Sequence, residues 1–192
     1  MAYSKGVQLR DEISEKIIEY ATHIAHEDGI ANISVKRIIT DLGYTNRVFY
    51  NRFKNVDELL KAIYDNIVFE MRKCIEVEYD PSCDYYEFLL DIATSVLKKT
   101  FENKLHFSQY MFEFDTYNAD NRNWWIDKMK RIIDYGIENN LIKQIDPTQI
   151  CYSIWCFCRG YNASTIGSDL TIDEIISSFR LGFGCFIEGL KS

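Results

Sequence analysis

Helix-breaking residues are scarce in this sequence: its 192 residues include only 2 prolines and 9 glycines. That scarcity excludes collagen-like and linker-like architectures. Histidine is as rare, with 3 copies, and no Gly-rich phosphate loop, G-x-S-x-G elbow or H-E-x-x-H occurs. The common signatures of phosphate, acyl and zinc chemistry are therefore missing. No apolar run approaches the ~18–20 residues that a membrane span needs, and the opening MAYSKGVQLRDE lacks the apolar core of a secretory signal. A soluble, cytoplasmic protein without membrane partners is the expectation. The cysteines, Cys74, Cys83, Cys151, Cys156, Cys158 and Cys185, contain no C-x-x-C pair. They are expected as reduced, buried thiols rather than metal ligands or disulfides, and no metal or other cofactor is expected.

What is present is globular in character. Hydrophobic residues make up 47% and charged residues 27%, which excludes a disordered chain. A chain of this size hides roughly 70% of its unfolded surface, enough for a real core. It is most simply one domain, or a small module joined to a larger one.

Nearly every segment has helical period and none alternates like a strand. A first helix over 10–28 carries the apolar stripe Ile13, Ile17, Ala21, Ile24 and Ala25, and Gly29 stops it. Ser34 caps a second helix, with Val35, Ile38 and Leu42 facing inward, and Gly43 ends it. Thr45 caps a short third helix through Asn51, and Asn55 caps a long fourth one that runs to about Tyr79. Asp84 opens a helix to about Asn103, followed by helices over roughly 105–115 and 120–140. Asp146-Pro147 opens another to about Thr165, and the capping box Thr171 to Glu174 opens the last, over 172–190. The expected architecture is all-α with about nine helices, divided into residues 1–54 and residues 55–192.

The net charge of −7 argues at first against nucleic acid, but it is unevenly placed. Residues 1–64 balance nine bases with nine acids, and the deficit lies wholly in 65–192. Within 36–54, Lys36, Arg37, Arg47, Arg52 and Lys54 face a single acid, Asp41, a local charge of +4. Counterion release depends on charge at the contact surface, so an acidic whole does not exclude a DNA binder. The same stretch holds two short helices meeting at the Gly-containing turn Gly43-Tyr44-Thr45, the helix-turn-helix pattern. Asn46, Arg47, Tyr50 and Asn51 offer donors and acceptors from the second helix. Val48 and Phe49 are left for the small core or a thymine methyl, and Phe53 for the core.

At this point residues 17–64 resemble the N-terminal domain of TetR-type transcriptional regulators. The matching elements are Ala21, Ile24, Ala25 and Gly29, then Ser34-Val35, Leu42-Gly43-Tyr44-Thr45, Phe49-Tyr50, Phe53 and Asp57-Glu58-Leu59-Leu60. The sequence departs at Ile39, where the family has Ala, at Arg47, where it has Gly or Pro, and at Val56, where it has Lys. Lys54, two residues earlier, stands in for that lysine as a phosphate ligand. The resemblance implies a homodimer that sets two recognition helices in the major grooves of a palindromic double-stranded DNA operator. The half-sites of such a dimer lie about one helical turn, ~34 Å, or a multiple of it apart. It places Thr45, Asn46, Arg47 and Asn51 near bases, and Lys36, Arg37, Tyr50, Arg52 and Lys54 on phosphates.

The same resemblance implies a ligand cavity among the middle helices, a dimer interface on the last two, and repression relieved by a small effector. Residues 85–129 hold 11 of the 28 aromatic rings, which suits an aromatic-lined pocket. The expected lining is Phe101, Phe107, Tyr110, Met111, Phe114, Trp124, Trp125 and Trp155, and Glu113 and Asp115 raise the idea of a cationic aromatic ligand. Ile175, Phe179, Phe183, Phe186 and Leu190 stripe the last helix, and Ile150, Ile154, Phe157 and Tyr161 the one before it. Such stripes pack inward or pair with a twin, and the resemblance favours pairing. Two other classes stay open. One is a helical ligand-binding protein with a degenerate DNA module. The other is a helix-bundle enzyme, for which His23 and His26 with Glu19 offer a possible metal pair, while His106 has no nucleophile or acid near it in a recognisable arrangement.

Overall fold

The computed structural model describes residues 9–102, 119–165 and 168–192. Among these residues are eight α-helices, and the only β pairing is one antiparallel bridge between Ile142 and Lys191. The helices are α1 (Glu12–Glu27), α2 (Val35–Asp41), α3 (Asn46–Tyr50), α4 (Val56–Lys73), α5 (Tyr85–Glu102), α6 (Ala119–Glu138), α7 (Pro147–Thr165) and α8 (Ile172–Glu188). The all-α expectation holds, and the helix expected over 105–115 lies outside the described residues. Two compact units form, Met1–Val68 and Phe69–Ser192. The boundary between these two units falls inside α4. The apolar face of α4, with Leu59, Leu60, Ile63 and Ile67 buried, belongs to the first unit.

Caps set most of the helix starts. Asp11 and Ser14 form a reciprocal box at α1, Ser34 accepts the Arg37 N–H at α2, and Asn55 Oδ1 accepts the Glu58 N–H at α4. Thr45 occupies the cap position of α3 in extended backbone, yet its side chain makes no cap hydrogen bond. Gly29 and Gly43 close α1 and α2 at φ +88° and +68°, the left-handed region that glycine enters at no steric cost. The C-terminal end of α4 differs from the expectation: the helix stops at Lys73 rather than near Tyr79. Beyond it the N–H groups of Cys74, Ile75 and Glu76 bond three residues back, a tightening last turn, and Val77 is left 54% exposed. Tyr79 instead joins an aromatic cluster in the second unit, with ring centroids 5.3 Å from Tyr85, 5.1 Å from Phe88 and 5.5 Å from Tyr135.

In the second unit α5 packs along α8, and α6 along α7. The core gathers Leu89, Leu97, Ile133, Cys151, Ile175, Phe179, Phe183 and Ile187. Within one chain Ile175, Phe179 and Phe183 of the α8 stripe are buried, and Phe186 is half-buried. What α8 and α7 turn outward is Leu181, 72% exposed, Tyr152, 51% exposed, and the exposed Cys156 and Cys185. Arg180 ties α8 to α5, donating to Asp91 Oδ1 and to Glu87 Oε2, each at 2.7 Å. The cysteine expectation is corrected in part. All six thiols are free, and burial pushes Cys151 up to about 12, but Cys83, Cys156 and Cys185 are exposed.

Tyr85 enters α6 at its glycine. Its hydroxyl donates to the Ile132 carbonyl at 2.7 Å, and burial pushes the phenol well above its ordinary range, keeping it a neutral donor. A Cβ on Gly136 would lie 2.6 Å from that hydroxyl and 2.9 Å from Ile142 Cδ1. Gly136→Ala is accordingly expected to cost about 1–3 kcal/mol through overpacking. Urea unfolding reads this directly, and an unchanged midpoint would mean that Tyr85 moves aside freely.

Candidate nucleic-acid interface

A five-residue helix such as α3 cannot stand by itself, since nucleation is unfavourable in so short a segment. Its position comes from burial on one side. Phe49 and Phe53 are both at 0% exposure, with ring centroids 5.7 Å apart. The other side is open: Thr45, Asn46, Arg47, Tyr50 and Asn51 are exposed, as are Lys36 on α2 and Lys54 ahead of α4. The base-facing set expected from the sequence therefore does lie on the exposed side of one short element.

The charges divide in a way the sequence did not show. Arg52, expected on a phosphate, is 6% exposed and faces inward. Its Nε donates to Asp11 Oδ1 at 2.8 Å, its Nη2 to Asp11 Oδ2 at 2.5 Å and its Nη1 to the Val48 carbonyl at 2.8 Å. That is a bidentate pair plus a C-terminal cap, and it fastens α3 to the start of α1. Leu9 N–H adds a backbone bond to the Asn51 carbonyl at 3.1 Å. Arg52 thus fastens α3 in place, with its guanidinium turned inward and not toward the exposed side. Arg37 is half-buried and held by Asp28 at 2.5 Å and Asp41 at 3.7 Å, while the Tyr20 hydroxyl donates to Asp41 at 2.6 Å. The ion pairs of this unit are Lys16–Glu12, Arg37–Asp28, Arg37–Asp41, Arg52–Asp11 and Lys61–Asp65. Among the described residues, Lys36, Arg47 and Lys54 are left as the basic side chains of this stretch outside any ion pair.

The expected ligand residues are only partly placed. Phe107, Tyr110, Met111 and Phe114 lie outside the described residues, with His106, Glu113 and Asp115. Trp124 and Trp125 meet edge to face at 5.3 Å, and Trp125 is buried. Phe101 is half-buried against the second core, and half-buried Trp155 lies under the Arg159 guanidinium at 5.8 Å, so no single contact joins all four. Among the described residues no group of three or more His, Cys, Asp or Glu is placed to hold a metal ion. None of the described helices is long and apolar enough to cross a membrane. His23 stacks on Tyr20 with centroids 6.4 Å apart.

No protein-family model matches the sequence, and neither does any curated protein. Solved structures do match. A TetR-family transcriptional regulator from Pectobacterium atrosepticum aligns with a TM-score of 0.81 at 17% identity, over 96% of this chain and 98% of that one. A transcriptional regulator of the TerR/AcrR family from Aquifex aeolicus VF5 gives 0.65 at 15% identity, over 91% and 99%. BioQ, solved with its natural double-stranded DNA operator, gives 0.63 at 16% identity, over 95% and 98%. The chain has the fold of TetR-family transcriptional regulators. Function is then a matter for the site, since a fold does not carry it.

Asp11 is the partner of Arg52 that the spacing of the basic stretch does not reveal, although the Asp-x-x-Ser pattern at 11–14 marks a helix start. Hydrogen bonds from Arg52, then the Ser14 N–H, hold its carboxyl well below the usual carboxylate range against the opposing effect of desolvation. A lowered carboxylate contributes stability above its unfolded value, ~3.9, and loses it as pH falls through the folded one. Asp11→Asn should therefore lower the melting temperature at pH 7, and the gap to the parent protein should narrow as pH falls below ~4. Thermal melts followed by circular dichroism at stepped pH check this. A gap that persists unchanged under acid would remove the pairing as its cause.

Proposed function

We propose that this protein is a DNA-binding transcriptional regulator, a homodimer that grips a palindromic operator and is released by a small apolar or aromatic effector. The observation that carries the reading is the two-sided α3: Phe49 buried on one side, Thr45, Asn46, Arg47 and Asn51 exposed on the other, with unpaired Lys36 and Lys54 beside them. BioQ, with the same fold, is described with its operator, which supports assigning that face to DNA. Base contacts come from Thr45, Asn46, Arg47 and Asn51, and phosphate contacts from Lys36, Tyr50 and Lys54. Arg37 joins the phosphate set by exchanging Asp28 for DNA. Such a protein works in the cytoplasm beside the chromosome and needs no catalysis.

Regulation follows from connectivity. The chain passes from the first unit to the second inside α4. An effector held by the second unit biases a helix whose other end adjoins the recognition segment, a coupling between two sites. About 1–3 kcal/mol of coupling changes operator affinity roughly 5–150-fold, enough for a switch. We read the outcome as repression relieved by the effector.

Selection of random duplexes on the purified protein tests the reading. It expects an enriched palindrome whose affinity falls steeply with salt, because each neutralised phosphate releases counterions. Arg47→Ala should cost ~1–3 kcal/mol on that operator and little on random DNA, as base readout requires. Equal losses on both would remove Arg47 from the base-reading set.

Dimerisation is placed on the outward faces of α7 and α8, where Leu181 and Tyr152 are exposed. Leu181→Glu should shift the protein from dimer to monomer in sedimentation velocity while leaving its helical content intact. An unshifted dimer would move the interface elsewhere.

A further inference from the structure

The surroundings of Arg72 carry the reading further, to the chemistry of the effector. Arg72 lies in the last turn of α4, and its guanidinium sits over the Trp124 ring of α6, 4.3 Å from the centroid. Its Nη2 donates to Asn121 Oδ1 at 3.0 Å, and Asn121 is itself buried. Its Nε is shut away from solvent with no hydrogen-bond partner among the described residues. Both of the partners named here are neutral. Buried charges are ordinarily paired, and a buried donor left unmade costs free energy. Arginine cannot escape that cost by losing its proton.

A second cation lies at the same ring. Lys128 Nζ lies 5.3 Å from the same Trp124 ring, and its acid partner is Glu76 at 3.7 Å. Arg72 and Lys128 therefore both face the Trp124 ring, and Glu76 is paired with Lys128. A cationic effector, the idea that Glu113 and Asp115 raised, would find this ring already faced by a guanidinium and would meet like charge.

We propose that the second unit takes a carboxylate-bearing small molecule, its carboxylate in the plane of the Arg72 guanidinium at the Nε edge and its apolar body beside Trp124 and Trp125. A planar carboxylate matches the fork of a guanidinium and accepts the Nε–H that nothing else accepts. The Trp124 ring stays where it is, covering the guanidinium face, and the carboxylate displaces the groups that now shut the Nε edge from solvent. Because Arg72 is part of α4, occupancy of this site acts on the same helix that begins beside the recognition segment. The proposal rests on the effector-responsive reading above and names the effector's class.

Isothermal titration of the full chain with matched pairs tests it: naphthalene-2-acetate against naphthalene-2-acetamide, and decanoate against decanamide. The carboxylate of at least one pair is expected to bind about tenfold to a hundredfold more tightly than its amide, the range of one charge-assisted hydrogen bond. Arg72→Met should abolish that preference while leaving amide binding in place, and Arg72→Lys, which keeps the charge but not the fork, should retain part of it. Circular dichroism confirms that the variants fold, and the parent comparison stands without them. Equal affinities, no carboxylate bound at all, or a preference that survives Arg72→Met each overturns the proposal. Operator selection is run separately. An enriched palindrome without carboxylate preference overturns this site alone, whereas carboxylate preference without DNA binding keeps the site and removes the regulatory reading.

Discussion

Burial of Phe49 is the constraint on which the first unit depends. Without it, α3 is a five-residue segment with no reason to be helical. With it, the short helix is fixed in the core of the first unit, and the turn at Gly43 only has to bring the chain there. Phe53, one turn on, extends the same contact, and Arg52 between them turns its charge inward to Asp11. The segment is thus held by three side chains that have nothing to do with DNA, and the exposed polar groups are carried on it.

Much of this is legible in the sequence wherever the chemistry is local. Ser34, Asn55, Asp84, Asp146 and Thr171 each cap the helix start they announce, because a cap needs only a side chain and an N–H two or three residues away. The apolar spacing of α1 locates Ile17, Ala21, Ile24 and Ala25 in the core for the same reason. Interactions closed over long stretches of chain are not legible. Arg52 reads as a phosphate ligand because its partner lies 41 residues away, and Asn121 is 49 residues from Arg72. The stop of α4 is hidden for a related reason: Tyr79 is drawn off by Tyr85, Phe88 and Tyr135, none of which its own neighbourhood displays.

The second unit shows a different limit. An apolar stripe tells that a helix face will be covered, without telling what covers it. On α8 the cover is α5 of the same chain, reinforced by Arg180 reaching across to Glu87 and Asp91. Outside that cover, Leu181 and Tyr152 stand exposed among small and polar neighbours. The aromatic wealth of residues 85–129 divides in the same manner. Tyr85 and Phe88 serve packing, together with Tyr79 and Tyr135 from outside that stretch, and Trp124 is committed to two cations.

The spacing of Phe49, Arg52 and Phe53 has one more consequence. These residues recur at intervals of three and four, so the grip on α3 uses one side of a single turn and the chain just beyond it. Thr45, Asn46, Arg47 and Asn51 project elsewhere and share none of those contacts in their side chains. Changes at these positions leave the core that holds the helix untouched. Stability and the character of the exposed side are therefore separable here: descendants of this gene can change it one residue at a time, without passing through an unfolded ancestor.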